Sequence, residues 1–318
     1  MYFRDQKTSK MKTRILVILL AVLAVACTKR NDQAEIDLNV NYEINGKPLI
    51  TDTLCYTNEA GNLFLITEIQ WFLSDIELKN EDGDWTLLQQ RWLSDTLDAS
   101  RIFYIDTDIP ETQNLRSCPV KTSHYTAIRF TFGLDDYDNY TGLFNDPPES
   151  EMFWPDVLGG GYHYMKLNGK YAGSSGRLKP FAIHLGIGQN EDCTEFYQNY
   201  FIVELPLDFD VKANADNRLD LTMVIDNWFR NPHVIDFNEL GSSIMQNQNA
   251  QRLFNGNGKD VFKIGKPDNN IIKMKREAKL VEKFNEVMHY ATPKPHFWTW
   301  ENVRQTFEQI KESDKNRS

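Results

Sequence analysis

Ile36, Leu38, Val40, Tyr42 and Ile44 alternate with Asp37, Asn39, Asn41 and Glu43. Successive side chains of a strand point to opposite faces, so a period of two over nine residues predicts a half-buried strand. Further strand candidates follow at short intervals, at 62–78, 101–105, 125–132, 162–167, 181–185, 200–205 and 218–225. In the last of these, Leu219, Leu221, Met223 and Ile225 share one face. Asn45-Gly46, Asp82-Gly83 and Asn168-Gly169 are dipeptides of the hairpin type. Many strands with few helices between them predict a mainly β chain, with an antiparallel β-sandwich or barrel-like body rather than a βαβ sheet.

Helical signals come late. Residues 242–254 fit a helix with Gly256 near its end, and 277–290 fit another with Leu280, Val281, Phe284, Val287 and Met288 on one stripe. Thr299 is placed to cap a last helix carrying Trp300, Val303, Phe307 and Ile310, with Pro293 and Pro295 before it. The body is therefore expected over 35–262 and a C-terminal helical tail over 263–318.

The N-terminus is not part of that body. Lys12 and Arg14 precede an apolar run from Ile15 to Ala26 that closes on Ala24-Val25-Ala26-Cys27. A basic start, a short apolar stretch and a small-residue end describe a secretory signal over 1–26, too short to span a bilayer comfortably. Cysteine directly after the small residues resembles a bacterial lipoprotein signal, with lipid expected on Cys27. Residues 27–34 then form a polar tether, and the protein belongs in the cell envelope, on its membrane through the lipid anchor.

Cleavage before Cys27 leaves 30 Lys+Arg against 44 Asp+Glu. That acidity argues against nucleic acid and against anionic membrane surfaces, and favours cations or neutral ligands. The tail differs, with ten basic and seven acidic residues over 271–318. Of the remaining thiols Cys55, Cys118 and Cys193, two can pair in an oxidising compartment. Cys118 with Cys193 is the pairing favoured here.

The chemistry concentrates between Met152 and Cys193. Phe153 and Trp154, the triple glycine Gly159–Gly161, His163 with Met165, and His184 follow one another in an acidic chain. Imidazole and thioether are soft-to-borderline donors that suit copper better than magnesium or calcium. His163, Met165 and Leu167 share a face if 162–167 is one strand, and neighbouring antiparallel strands bring same-face side chains together. Each residue also has an ordinary reading: histidines amid apolar residues are commonly hydrogen-bonded core groups, and Trp154 is a natural core anchor. Asp135, Asp136 and Asp138 suggest calcium but lack the twelve-residue loop pattern with its terminal glutamate, so a solvated acidic loop is expected. HExxH, GxSxG and Cys-x-x-Cys are all absent, and no enzymatic activity is expected.

Several segments together resemble the MbnP-like family of periplasmic and outer-membrane copper-binding proteins, in its Bacteroidota lipoprotein form. They are Ile69–Leu78 (IQWFLSDIEL), Phe130–Leu134 (FTFGL), Met152–Gly169 (MFWPDVLGGGYHYMKLNG), His184-Leu185-Gly186 with Cys193, Asp226–Pro232 (DNWFRNP) and Ile244–Phe262. The resemblance implies a β-rich fold and copper held by two histidines beside a tryptophan oxidised to kynurenine. It also implies a di-haem peroxidase-like partner and an outer-membrane transporter. His184 matches the family's His-Leu-Gly histidine. The family's second histidine follows an asparagine, and here that step reads Asn139-Tyr140. Either His163 replaces the missing ligand, or the scaffold survives without its metal.

The reading is a lipid-anchored, non-enzymatic envelope protein that binds or helps acquire copper, with His184, His163 and Met165 as ligands and Trp154 bordering them. The rivals are a metal-free interaction scaffold accessory to an envelope transport system and a surface glycan-binding lipoprotein, whose stacking platforms the seven tryptophans could supply.

Overall fold

The computed structural model describes residues 32–90, 100–190, 192 and 194–266. The main strands are β1 (Asp37–Ile44), β2 (Leu63–Asn80), β3 (Ile102–Asp106), β4 (His124–Phe132), β5 (Met165–Ala172), β6 (Leu178–Leu185), β7 (Phe201–Asp210), β8 (Arg218–Val224) and β9 (Phe262–Gly265). Helices α1 (Phe237–Leu240) and α2 (Gln248–Gly258) lie between β8 and β9. The chain is mainly β, as expected, and its sheets do not close into a barrel.

Strand β2 is the spine of the larger sheet, with β5 and β6 on one side and β4 and β7 on the other. At 18 residues it is long enough to pair with β5 over Phe64–Trp71, with β4 over Leu73–Asn80, and with β3 over Gln70–Ser74. All of these pairs are antiparallel. The smaller sheet runs β9-β8-β1, and β8 is parallel to β1, one departure from the antiparallel pattern. The inner faces of the two sheets meet at Trp71, whose indole N–H donates to the Tyr42 hydroxyl at 2.9 Å and whose ring lies 5.4 Å from that of Phe262. Period-two burial along β1 and β8 supplies Leu38, Val40, Leu219 and Leu221 to that interior.

Three expectations need correction. Strand β5 begins at Met165 rather than at 162, so His163 precedes it. Asn168-Gly169 is not a turn but the interior of β5, where the register against β2 slips by one residue. A Cβ on Gly169 would stand 2.3 Å from both the Leu65 carbonyl oxygen and the Phe181 ring, so close approach, not turning, selects glycine there. The helix expected over 242–254 starts only at Gln248, with the Asn247 side chain accepting from the Ala250 N–H at 3.0 Å. Upstream, the edge of β6 holds the chain extended: Ala182 N–H donates to Ser242 O, and Ile244 N–H to Ala182 O.

Contacts divide the chain into Met1–Lys266 and Pro267–Ser318, so β9 belongs with the body beyond the expected limit at 262. The signal-like segment, Cys27, Cys193 and the expected helices at 277–290 and after Thr299 lie outside the described residues. Cys118 is a free thiol 3.5 Å from the Gln90 carbonyl oxygen, and its favoured partner Cys193 lies outside the described residues.

Candidate metal centre

The triple glycine folds the chain back on itself. Gly159, Gly160 and Gly161 have φ of 117°, 71° and 77°, a region that side-chain-bearing residues rarely enter. Their turn pairs Phe153 with Tyr162 across a bridge, with Trp154 N–H donating to Gly161 O at 2.9 Å and His163 N–H to Met152 O at 2.6 Å. Trp154 and His163 thereby come side by side, ring centres 4.8 Å apart and nearly perpendicular.

Asn139 fastens this hairpin. Its side-chain oxygen accepts from Tyr162 N–H at 2.7 Å and its amide donates to the Tyr164 hydroxyl at 3.2 Å. Asn139 is thus a structural clamp on the two residues that flank His163. The neighbouring Tyr140 is 49% exposed.

His184 arrives from β6. Register opposes Met165 to Leu185, Lys166 to His184, Leu167 to Ile183 and Asn168 to Ala182. Opposed residues share a face and neighbours alternate, so His184, Lys166 and Asn168 lie on one face and Met165 on the other. Met165, fully buried and opposite Trp71 on its other flank, is a core residue and not a partner of the imidazoles. The expectation of a His163/Met165 ligand pair fails because His163 stands outside the strand and escapes its alternation.

The two imidazoles do meet, with ring centres 5.0 Å apart and planes nearly perpendicular. With metal–nitrogen bonds of about 2 Å, two imidazoles on one ion hold their ring centres roughly 5–6 Å apart. His163 is buried and its Nδ1–H donates to the Met152 carbonyl at 2.9 Å, while its Nε2 has no hydrogen-bond partner among the described residues. His184 is half-buried, its Nε2 3.0 Å from the Asn168 side-chain oxygen. Burial pushes His163 down to about 3 and His184 down to about 4, the nearby Lys166 ammonium adding to both. Both imidazoles are therefore neutral at neutral pH, the form that binds metal.

Trp154 forms the apolar wall. It is fully buried, and its indole N–H is satisfied by Leu158 O at 3.0 Å. Gly186 exists for this ring, since a Cβ there would stand 2.5 Å from it. Asn168, Glu68 and Lys166 complete the polar surroundings, and sequence reasoning missed all three. Asn168 was hidden by its turn-like dipeptide, and the others carry no local signal. The acidic loop is no open calcium site. Asp75, Asp135 and Asp138 cluster, but Arg101 lies 3.0 Å from Asp75 and 2.8 Å from Asp138, where a cation would sit.

A sequence profile for the MbnP family matches residues 33–246. The chain belongs to the MbnP family. A solved structure, MbnP from Methylosinus trichosporium, superposes with a TM-score of 0.52 at 13% identity, covering 74% of this chain and 99% of that one. At that identity the likeness is one of fold. No curated protein sequence matches the chain. The MbnP match takes in Trp154, His163 and His184 but stops before α2 and β9. Those two elements still serve the MbnP body: Gln251 of α2 donates to the His184 carbonyl at 2.8 Å, and β9 seats Phe262 in the core.

Proposed function

We propose that this chain binds a single copper ion between His163 and His184, against the wall of Trp154, and that its role is binding rather than catalysis. The observation that carries the reading is the buried Nε2 of His163, left without a partner beside a second neutral imidazole. A buried unsatisfied nitrogen costs about 1–3 kcal/mol, and an ion bound there would offset it. Copper is favoured over zinc because it forms the stronger imidazole complexes, and zinc in structural sites takes four protein ligands where only two donors converge here. The membership of the MbnP family supports the same choice.

The same reading puts the site in the cell envelope, anchored by lipid on Cys27, with a di-haem peroxidase-like protein and an outer-membrane transporter as partners. Its support is the signal-like sequence ending at Cys27. Cys27→Ser is expected to release the protein into the soluble fraction. For the metal, equilibrium dialysis should give one copper per wild-type chain and none above background for the His163→Ala, His184→Ala double variant. Equal uptake by both would overturn the reading, and the metal-free scaffold would take its place.

A further inference from the structure

The nitrogen that His184 offers to a metal is chosen two residues away. Glu68 on β2, Asn168 on β5 and Ala182 on β6 form one row across the sheet, and His184 is the next same-face residue along β6. The Asn168 amide donates to the Glu68 carboxylate at 3.4 Å, and the Asn168 oxygen faces His184 Nε2 at 3.0 Å. A carboxylate only accepts, so the NH2 side of the amide turns to Glu68 and the oxygen turns to His184. An amide oxygen also only accepts, so Nε2 of His184 carries the proton and Nδ1 carries the lone pair. At His163 the backbone makes the opposite choice: the Met152 carbonyl holds Nδ1–H and leaves Nε2 with the lone pair.

We infer that Asn168, oriented by Glu68, is a positioning residue that fixes the His184 tautomer, so that the pair ligates through Nε2 of His163 and Nδ1 of His184. This rests on the copper reading for its ligand but not for its first observable. Groups that orient metal-bound histidines typically change affinity by about 10–100-fold when removed. Asn168→Leu removes the acceptor from Nε2, so His184 populates both tautomers. Asn168→Asp keeps an acceptor there and restores one. Glu68→Gln can donate to Asn168 as well as accept from it, so the amide loses its imposed orientation.

The test is long-range nitrogen–proton NMR on the full metal-free chain, followed by titration with cuprous ion alone. The wild type is expected to show His163 as the Nδ1–H tautomer and His184 as the Nε2–H tautomer, with the His184 Nδ1 signal moving on copper addition. Asn168→Leu should mix the His184 tautomers and weaken copper about 10–100-fold, and Asn168→Asp should recover both properties. A wild-type His184 protonated on Nδ1, or copper affinity indifferent to Asn168→Leu, would overturn the inference. If Asn168→Leu does not fold, the wild-type tautomers and the Asn168→Asp and Glu68→Gln variants decide. Expected tautomers without any copper uptake would sink the copper reading alone, whereas uptake with the wrong tautomer would sink the positioning inference alone.

Discussion

His163 keeps an imidazole neutral inside the protein, and that choice has a sign. Its pKa falls from the model-peptide 6.5 to about 3 on burial, so between those limits the unfolded chain binds a proton that the folded chain does not. Stability is therefore complete above about pH 6.5 and lost as the pH falls, by about 2 kcal/mol at pH 5 from His163 alone. Urea denaturation of the metal-free chain at pH 7.5 and pH 5 should show this loss, and His163→Gln should reduce the difference by about that amount. An unchanged pH dependence in the variant would show that His163 is not the titrating group. A second residue-scale prediction concerns Gly186. Gly186→Ala drives a methyl group into the Trp154 ring, and overpacking of this kind costs about 1–3 kcal/mol. Thermal melts should record the loss, and tryptophan fluorescence should report a displaced indole.

At the scale of elements, the site is a loop hairpin locked onto a strand hairpin. Asn139 is the lock, holding Tyr162 and Tyr164 on either side of His163. Asn139→Ala leaves the Tyr162 N–H unsatisfied in a buried place, so it should cost about 1–3 kcal/mol and weaken copper binding with it. Tyr140→Ala should leave copper uptake at the wild-type level, as ligation by His163 and His184 requires. Uptake abolished by Tyr140→Ala would defeat that ligand assignment. These residues also mark what could be read from the sequence. Strands β1 and β8 were legible because one face of each is more deeply buried than the other, which writes a period of two into the chain. The meeting of His163, His184 and Trp154 was legible as a set of residue types but not as a geometry. His163 obeys the glycine turn rather than strand alternation, so periodicity misassigned Met165 to its side. Asn168-Gly169 misled for a related reason: the dipeptide chemistry of a turn also suits a bulge where two strands and a phenylalanine crowd the backbone. The start of α2 was hidden because residues 242–244 bond to the edge of β6, a partner far off in sequence.

At the scale of the whole molecule, the two sheets are joined by aromatic contacts that include a residue from the last described strand. Phe262 of β9 lies 5.4 Å from Trp71, 5.1 Å from Phe130 and 6.1 Å from Phe132, ring centre to ring centre, so it ties the smaller sheet to β2 and β4 of the larger. It also sits beyond the span matched to the MbnP family. Its contacts are with the sandwich interior, whereas the His184 imidazole and Asn168 occupy the opposite face of β5 and β6 from the core residues Met165 and Leu185. Phe262→Ala should therefore cost about 3–5 kcal/mol, the range for a phenylalanine truncated in a packed core, while leaving the copper affinity of the folded chain unchanged. Urea midpoints give the first quantity, and copper titration well below the unfolding transition gives the second. A loss of copper affinity in fully folded Phe262→Ala protein would mean that the metal centre depends on the closure of the sandwich and not only on the two hairpins that carry it.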